Sequence, residues 1–153
     1  MTYELMNGLA SAEVEQVLGL GTTLSVPAGT TLFRLGEAAD RLFLTTRGRI
    51  RLTLPLQIRG HEENILTEEI SAGQTVGWSA VIPPCVFTLT ATTLLESELI
   101  VLPREALQAF SIAHPAAGCK IAQNLAFVIG HRLQLFQTMW LREMQRTVEL
   151  HSA

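Results

Sequence analysis

The middle of the chain alternates short apolar runs with glycines, which is a pattern typical of β-structure. Glycines stand at positions 29, 36, 48, 60, 73 and 77, and glycine permits the positive φ angles of tight turns. Between Arg49 and Leu54 polar and apolar residues alternate, as expected of a half-buried strand. Short strands at such spacing favour an all-β barrel or roll over residues 22–102. The predicted strands are Thr30–Phe33, Leu42–Thr46, Ile50–Leu54, Ile65–Ile70, Val86–Thr93 and Glu98–Leu102.

Helical patterns precede and follow this region. Residues 1–21 contain one short predicted helix, capped by Ser11 and ended by Gly19 and Gly21. Pro103 opens a hinge helix over residues 103–113, and Pro115 opens a long helix over residues 115–150, because proline is favoured in a first helical turn. Roughly 34 helical residues extend for about 50 Å, farther than a small barrel is wide. The far end of the long helix is therefore expected to project.

The long helix carries two apolar stripes, where a helix on the surface of a monomer needs only one. One stripe is expected to pack on the barrel and contains Ile121, Leu125, Val128, Leu135 and Met139. The other keeps a roughly heptad spacing as far as Val148 and is expected to pair with a second subunit. A single wide stripe buried within one chain is the alternative. The predicted homodimer contacts are Ile129, Leu133, Phe136, Trp140 and Met144.

The amino-acid composition limits the classes of function that can be expected of this chain. Hydrophobic residues make up 48% and charged residues 16%, against roughly 25% charged in typical soluble domains, so part of the surface is expected to face a partner. A net charge of -3 and a pI near 5.8 argue against a nucleic-acid surface. The uncharged run from Ile70 to Leu95 contains two glycines and two prolines, unlike a membrane helix. Two cysteines and no secretory pattern near the start indicate a reducing cytoplasm.

The stretch from Val26 to Leu52 carries a specific family pattern, in which a hydrophobic residue and spaced glycines alternate with aromatic and acidic positions. The matching residues are Gly29, Phe33, Gly36, Glu37, Asp40, Phe43, Gly48 and Ile50. In these positions and in the order of its elements, the chain resembles the cyclic-nucleotide-binding domain of the Crp/Fnr superfamily. The resemblance implies one mainly-β domain over residues 1–153, a double-stranded β-helix of the jelly-roll type with an N-terminal helix, a hinge helix and a long dimerisation helix. The side chains expected to face the barrel core are Phe33, Leu35, Leu42 and Leu44.

The resemblance also places a ligand pocket, and the residues there depart from the family pattern. Cyclic-nucleotide binders have a Gly-Glu turn for the sugar and an Arg for the phosphate. Here Trp78 follows Gly77, and no Arg or Lys occurs between Arg59 and Arg104. An unpaired buried anion costs on the order of 3–5 kcal/mol, about a hundred- to a thousandfold in affinity. The pocket residues implied by the resemblance are Gly77, Trp78, Ser79, Ala80, Val86, Phe87 and Thr88.

No catalytic or metal site emerges from the remaining residues. The four histidines, at positions 61, 114, 131 and 151, lack metal-ligand spacing. The run that begins Gly77-Trp78-Ser79 lacks the final glycine of a hydrolase elbow. We therefore expect no enzyme, no metal and no cofactor.

The functional prediction is a non-catalytic sensory module with a degenerate phosphate pocket. It is expected to signal through its dimer helix to a partner regulatory protein, without direct DNA binding, since no helix-turn-helix follows that helix in this chain, and without membrane contact. Two alternatives stay open. One is a cyclic-nucleotide binder with a non-standard pocket, and the other is a haem or redox sensor of the same superfamily with a histidine or Cys85 as iron ligand.

Overall fold

A computed structural model describes residues 1–152, which form a β-roll flanked by helices; Ala153, the last residue of the predicted domain, lies outside the described residues. The helices are α1 (Ser11–Gly19), α2 (Arg104–Ala113) and α3 (Pro115–Ser152), with short 3-10 turns at Glu4–Met6 and Trp78–Val81. The strands are β1 (Thr22–Val26), β2 (Thr31–Phe33), β3 (Arg41–Arg47), β4 (Ile50–Ile58), β5 (His61–Ile70), β6 (Thr75–Val76), β7 (Thr90–Thr93) and β8 (Ser97–Pro103).

The described strands form two antiparallel sheets, with the orders β1-β8-β3-β6 and β2-β7-β4-β5. Phe43 in β3 stands opposite both Val76 in β6 and Val101 in β8, which sets the register of the first sheet. The side chains of Leu42, Phe43 and Leu44 are all buried, so β3 is covered on both faces. The predicted fold class, a β-roll with flanking helices and a long final helix, is confirmed.

Several local predictions were wrong. Leu35 is 41% exposed rather than in the core, because β2 ends at Phe33 and the strand alternation does not reach it. Ser11 is the first helical residue, not the cap; Ala10 holds that position and its N–H donates to Glu13 Oε1. The predicted strand from Val86 begins only at Thr90, because Phe87 instead exchanges backbone hydrogen bonds with residues 36 and 37.

The hairpin of β4 and β5 is longer than predicted. Its strands pair as far as Ile58 opposite His61, beyond the expected ends at Leu54 and Ile65. Arg59 and Gly60 form the turn with φ angles of 51° and 81°, which is the paired positive-φ geometry of two-residue hairpin loops. The hairpin therefore extends past the barrel.

The two short strands β1 and β6 were not predicted.

Helix α3 is packed on the barrel only along its first half. At 1.5 Å per residue it is about 57 Å long, and its buried side chains end at Arg132. Leu135, predicted for the barrel stripe, is half-buried, and Met139 is exposed. Every described side chain from residue 137 onward is exposed, so the second half projects as predicted. Among the described residues, no helix has the length and apolar character needed to cross a membrane.

The N-terminal 3-10 turn ties α3 to the barrel. Asn124 Nδ2 donates to the carbonyls of Leu5 and Asn7 at 2.8 and 2.9 Å. Glu4 in turn accepts a hydrogen bond from the Thr75 N–H at 2.7 Å. The turn therefore links α3 on one side to β6 on the other.

Burial of the Glu4 carboxyl raises its pKa above the ordinary value of 4.5, and the hydrogen bond from Thr75 and the attraction of Arg132 oppose this only in part. The folded protein binds this proton more tightly than the unfolded chain does. The contribution of Glu4 to stability is therefore complete below pH 4.5 and is lost as the pH rises through the raised value.

We expect Glu4→Gln to abolish this loss, because an amide does not ionise and its carbonyl can still accept the Thr75 N–H. The free energy of unfolding of the wild type minus that of the variant should fall between about pH 4 and about pH 7 in urea denaturation. Glu15→Gln, on the exposed surface of α1, is the control for loss of one carboxylate. A difference that rises with pH would contradict this account and would mean that attraction to Arg132 outweighs burial.

Candidate ligand pocket and its cation

The pocket is built around a left-handed turn at Gly77. Strand β6 ends at Val76, and Gly77 has a φ of 88° before the 3-10 turn that begins at Trp78. A Cβ atom at this position would stand 3.3 Å from both the Arg41 carbonyl oxygen and Phe87 Cε1. Positive φ and close packing both favour glycine here.

Beside this turn lies a cavity of only about 10 Å³, which is about the space of one water molecule. The rings of Phe33 and Phe87 stack in its wall with centroids 3.8 Å apart. The barrel pocket is therefore closed by its own aromatic side chains. Its lining consists of Phe33, Leu52, Gly77, Trp78, Ser79, Phe87, Thr88, Leu89 and Arg132.

The predicted pocket residues divide into two groups. Gly77, Trp78, Ser79, Phe87 and Thr88 lie together in the cavity wall. Ala80 and Val86 lie outside it: the Ala80 side chain is fully buried in the core, and Val86 is 37% exposed and bridges to the backbone of Ala38.

Arg132 supplies a cation to the pocket wall, where the sequence predicted none. This residue reaches the cavity from α3, not from the segment between Arg59 and Arg104 to which the prediction was confined. Its side chain is only 8% exposed, and its Nε donates to Glu68 Oε2 on β5 at 2.7 Å. The available signal was its position four residues after Val128, where an arginine continues the apolar stripe that packs on the barrel.

A second cation, Arg41, lies beside the aromatic side chains of the pocket. Its guanidinium carbon is 5.5 Å from the centroid of the Phe43 ring and 5.9 Å from that of the Phe87 ring, within the range of cation–π attraction. Arg41 Nη1 also donates to Asp40 at 2.7 Å, and this hydrogen bond lowers the pKa of the Asp40 carboxyl. Both cations near the pocket are thus already engaged by carboxylates.

A larger cavity of about 270 Å³ adjoins the first between the barrel and α3. It shares Trp78, Thr88, Leu89 and Arg132 with the closed cavity. Its remaining walls are apolar and come from the hairpin and the helix: Leu54, Ile129, Leu133 and Phe136. Arg132 therefore stands at the junction of the two spaces.

The predicted dimer contacts lie along one side of α3 in the single chain described. Ile129 and Phe136 are half-buried, and Phe136 packs against the core. Leu133, Trp140 and Met144 are 57%, 62% and 43% exposed. These three exposed side chains have no cover within the described residues.

The candidate iron ligands lie away from both cavities. His61 is at the exposed end of the hairpin, and His114 stacks on Phe110 between α2 and α3. His131 and His151 are exposed on α3. Cys85 is half-buried before the Phe87 segment and lines neither cavity. The described geometry thus brings none of the candidate ligands to the pocket.

The chain has identifiable relatives among characterised proteins. It is 28% identical over 108 residues to the CRP-like cAMP-activated global transcriptional regulator of Mycobacterium tuberculosis, across 71% of this chain and 45% of that protein. It is 26% identical over 133 residues to Glutaminase 1 of Bradyrhizobium diazoefficiens, across 84% of this chain and 20% of that protein. The chain thus spans less than half the length of either relative.

A similar solved structure and a match to a protein family agree with these sequence similarities. The crystal structure of the Thermus thermophilus catabolite activator protein has a TM-score of 0.71 and 26% identity, with coverage of 97% of this chain and 63% of that chain. Residues 23–114 match the family described as Cyclic nucleotide-binding domain, and they span nearly all of the β-roll and α2. The predicted resemblance is confirmed: the chain belongs to the cyclic nucleotide-binding domain family and has the β-roll fold of the Crp/Fnr regulators.

Proposed function

We propose that the chain is a non-catalytic regulatory module whose pocket has lost ordinary cyclic-nucleotide binding and whose long helix passes a signal to a partner regulatory protein. The observation that carries this proposal is the charge of the pocket. The segment from residue 60 to residue 103 has no Lys or Arg, and the one cation in the cavity wall is paired with Glu68. A cyclic phosphate entering the pocket would meet a carboxylate as well as the guanidinium.

The shape of the pocket supports the same proposal. The adjoining cavity of about 270 Å³ is smaller than usual ligand pockets, which measure roughly 300–1,000 Å³, and the cavity beside the Gly77 turn holds only about 10 Å³. Opening it would require separation of the stacked Phe33 and Phe87 rings, whose contact is worth about 0.5–1.5 kcal/mol beyond their burial. Nucleotide binding would therefore have to supply both this energy and a partner for its phosphate.

A second candidate function is a cyclic-nucleotide receptor in which Arg132 replaces the usual phosphate partner. Its support is the presence of Arg132 in the cavity wall. The phosphate would have to share the guanidinium with Glu68, and the polar base and ribose would meet the apolar walls of the adjoining cavity, which costs free energy. The haem or redox alternative has no comparable support, because no described histidine lines either cavity.

The proposed output is a homodimer formed through one side of α3 that begins at Leu133 and continues into the projecting half. Leu133, Trp140 and Met144 are exposed along one side of that helix, and pairing of two identical helices would bury them symmetrically. A cytoplasmic location fits the two free cysteines, Cys85 and Cys119. The negative net charge argues against direct binding to DNA.

Cyclic AMP and cyclic GMP should bind at least about a hundredfold more weakly than to a pocket with a free arginine, because the phosphate lacks an unpaired cation. Isothermal titration calorimetry at micromolar protein concentration should show no saturable heat with either nucleotide. A sub-micromolar dissociation constant would contradict the proposed function and favour the second candidate.

The wild-type chain should be dimeric at low micromolar concentration, and Leu133→Glu should make it monomeric, because two carboxylates would then face each other across the interface. Light scattering coupled to gel filtration measures the mass directly. The control is Phe127→Glu: Phe127 is 75% exposed but lies about 120° around the helix from Leu133, so this variant should remain dimeric. A monomeric wild type, or loss of the dimer in both variants, would contradict the assignment of this face.

A further inference from the structure

The side chain of Arg132 is almost completely buried, but only part of its guanidinium is hydrogen-bonded. Its side chain is 8% exposed, and its Nε bonds to Glu68. Within residues 1–152, the two terminal amino groups of Arg132 donate no hydrogen bond to a protein acceptor. A guanidinium has five N–H donors, and within residues 1–152 no nitrogen of Arg132 is among the fully buried polar atoms that lack a partner. The terminal nitrogens are therefore accessible rather than sealed in the core, and Arg132 lines the cavity.

The space beside these nitrogens is apolar. The cavity of about 270 Å³ is walled by Trp78 and Leu89 from the barrel and by Ile129, Leu133 and Phe136 from α3. Among the described residues of its wall, the polar groups besides Arg132 are the Thr88 hydroxyl and the Trp78 indole N–H. The polar base and ribose of a nucleotide would leave their hydrogen-bonding groups unpaired against such walls, which costs free energy.

We propose that this cavity binds a small carboxylic acid with an apolar body. The carboxylate would accept hydrogen bonds from the two terminal amino groups of Arg132. Glu68 would still accept the hydrogen bond from Nε and would thereby hold the orientation of the guanidinium. The apolar body would lie between Trp78 and Phe136. This inference rests on the proposed regulatory function and names the ligand class of that site.

The position of the cavity also explains how such a ligand would act on the output helix. Ile129, Leu133 and Phe136 belong both to its wall and to the proposed dimer face of α3. A bound apolar body therefore covers part of that face and engages α3 directly through Arg132. No rearrangement needs to pass through the barrel.

The test uses the full chain with three probes: octanoate, 1-octanol and inorganic phosphate. Octanoate should bind about 10- to 100-fold more tightly than 1-octanol, because a hydrogen bond to a charged group contributes about that factor. Phosphate alone should show no saturable heat, since it lacks the apolar body. Calorimetry gives the affinities, and in a Trp140→Phe background the fluorescence of Trp78 reports binding at the cavity.

The decisive variant is the neutral pair Arg132→Met with Glu68→Gln, which removes the cation without leaving a buried charge alone. It should bind octanoate and 1-octanol with equal affinity. Arg142→Met is the control, because Arg142 lies exposed on the same helix, and it should keep the wild-type preference. Circular dichroism and urea unfolding establish that each variant is folded.

Two results would overturn the inference: equal binding of octanoate and 1-octanol to the wild type, or a preference for octanoate that persists in the neutral pair. Titration of cyclic AMP into the same samples separates this failure from failure of the proposed function. Sub-micromolar binding of cyclic AMP contradicts the function whatever octanoate does. Weak binding of both cyclic AMP and octanoate overturns only the proposal that the ligand is a carboxylic acid.

Discussion

The ion pair between Arg132 on α3 and Glu68 on β5 is the interaction on which the arrangement of helix and pocket depends. It joins residues 64 positions apart in the chain and stands at the last buried turn of the helix. A buried ion pair is weak evidence for added stability, because desolvation offsets attraction, but removal of one partner costs about 3–5 kcal/mol. We therefore infer that its effect is to specify where α3 lies. Asn124 and the N-terminal turn fix the same helix two turns earlier.

This arrangement places the pocket next to α3, the helix that is proposed to carry the signal. In the described structure, the cavity wall that bears the cation is a surface of α3, and the same helix continues into an exposed segment from residue 137. A ligand that engaged Arg132 would act on the helix itself. The aromatic stack of Phe33 and Phe87 meanwhile fills the space beside the Gly77 turn. In the proposed mode of binding, the barrel would support the contact between helix and ligand rather than contain the ligand.

Local patterns in the sequence were sufficient to predict the family and the order of the elements. They did not predict that Arg132 lies in the pocket wall. The glycines at positions 29, 36 and 48 and the long helical period depend on near neighbours in the chain, so they were predictable. The short strand β6 and the ends of the β4–β5 hairpin depend on pairing partners, which periodicity does not reveal. Arg132 was missed because the pocket was sought in the segment that the family pattern places there. An arginine within an apolar stripe was the visible sign that the helix contributes to the pocket.

The most direct test of this account is a double-mutant cycle on the ion pair by urea unfolding at fixed protein concentration. The variants are Arg132→Met, Glu68→Gln and the two combined, with Arg142→Met as the control. Each single change at the pair should destabilise the protein by about 3–5 kcal/mol. The combined change should cost less than the sum by at least about 1 kcal/mol, since the two side chains are in contact. Additivity within about 0.5 kcal/mol would contradict the claim that this pair positions the helix.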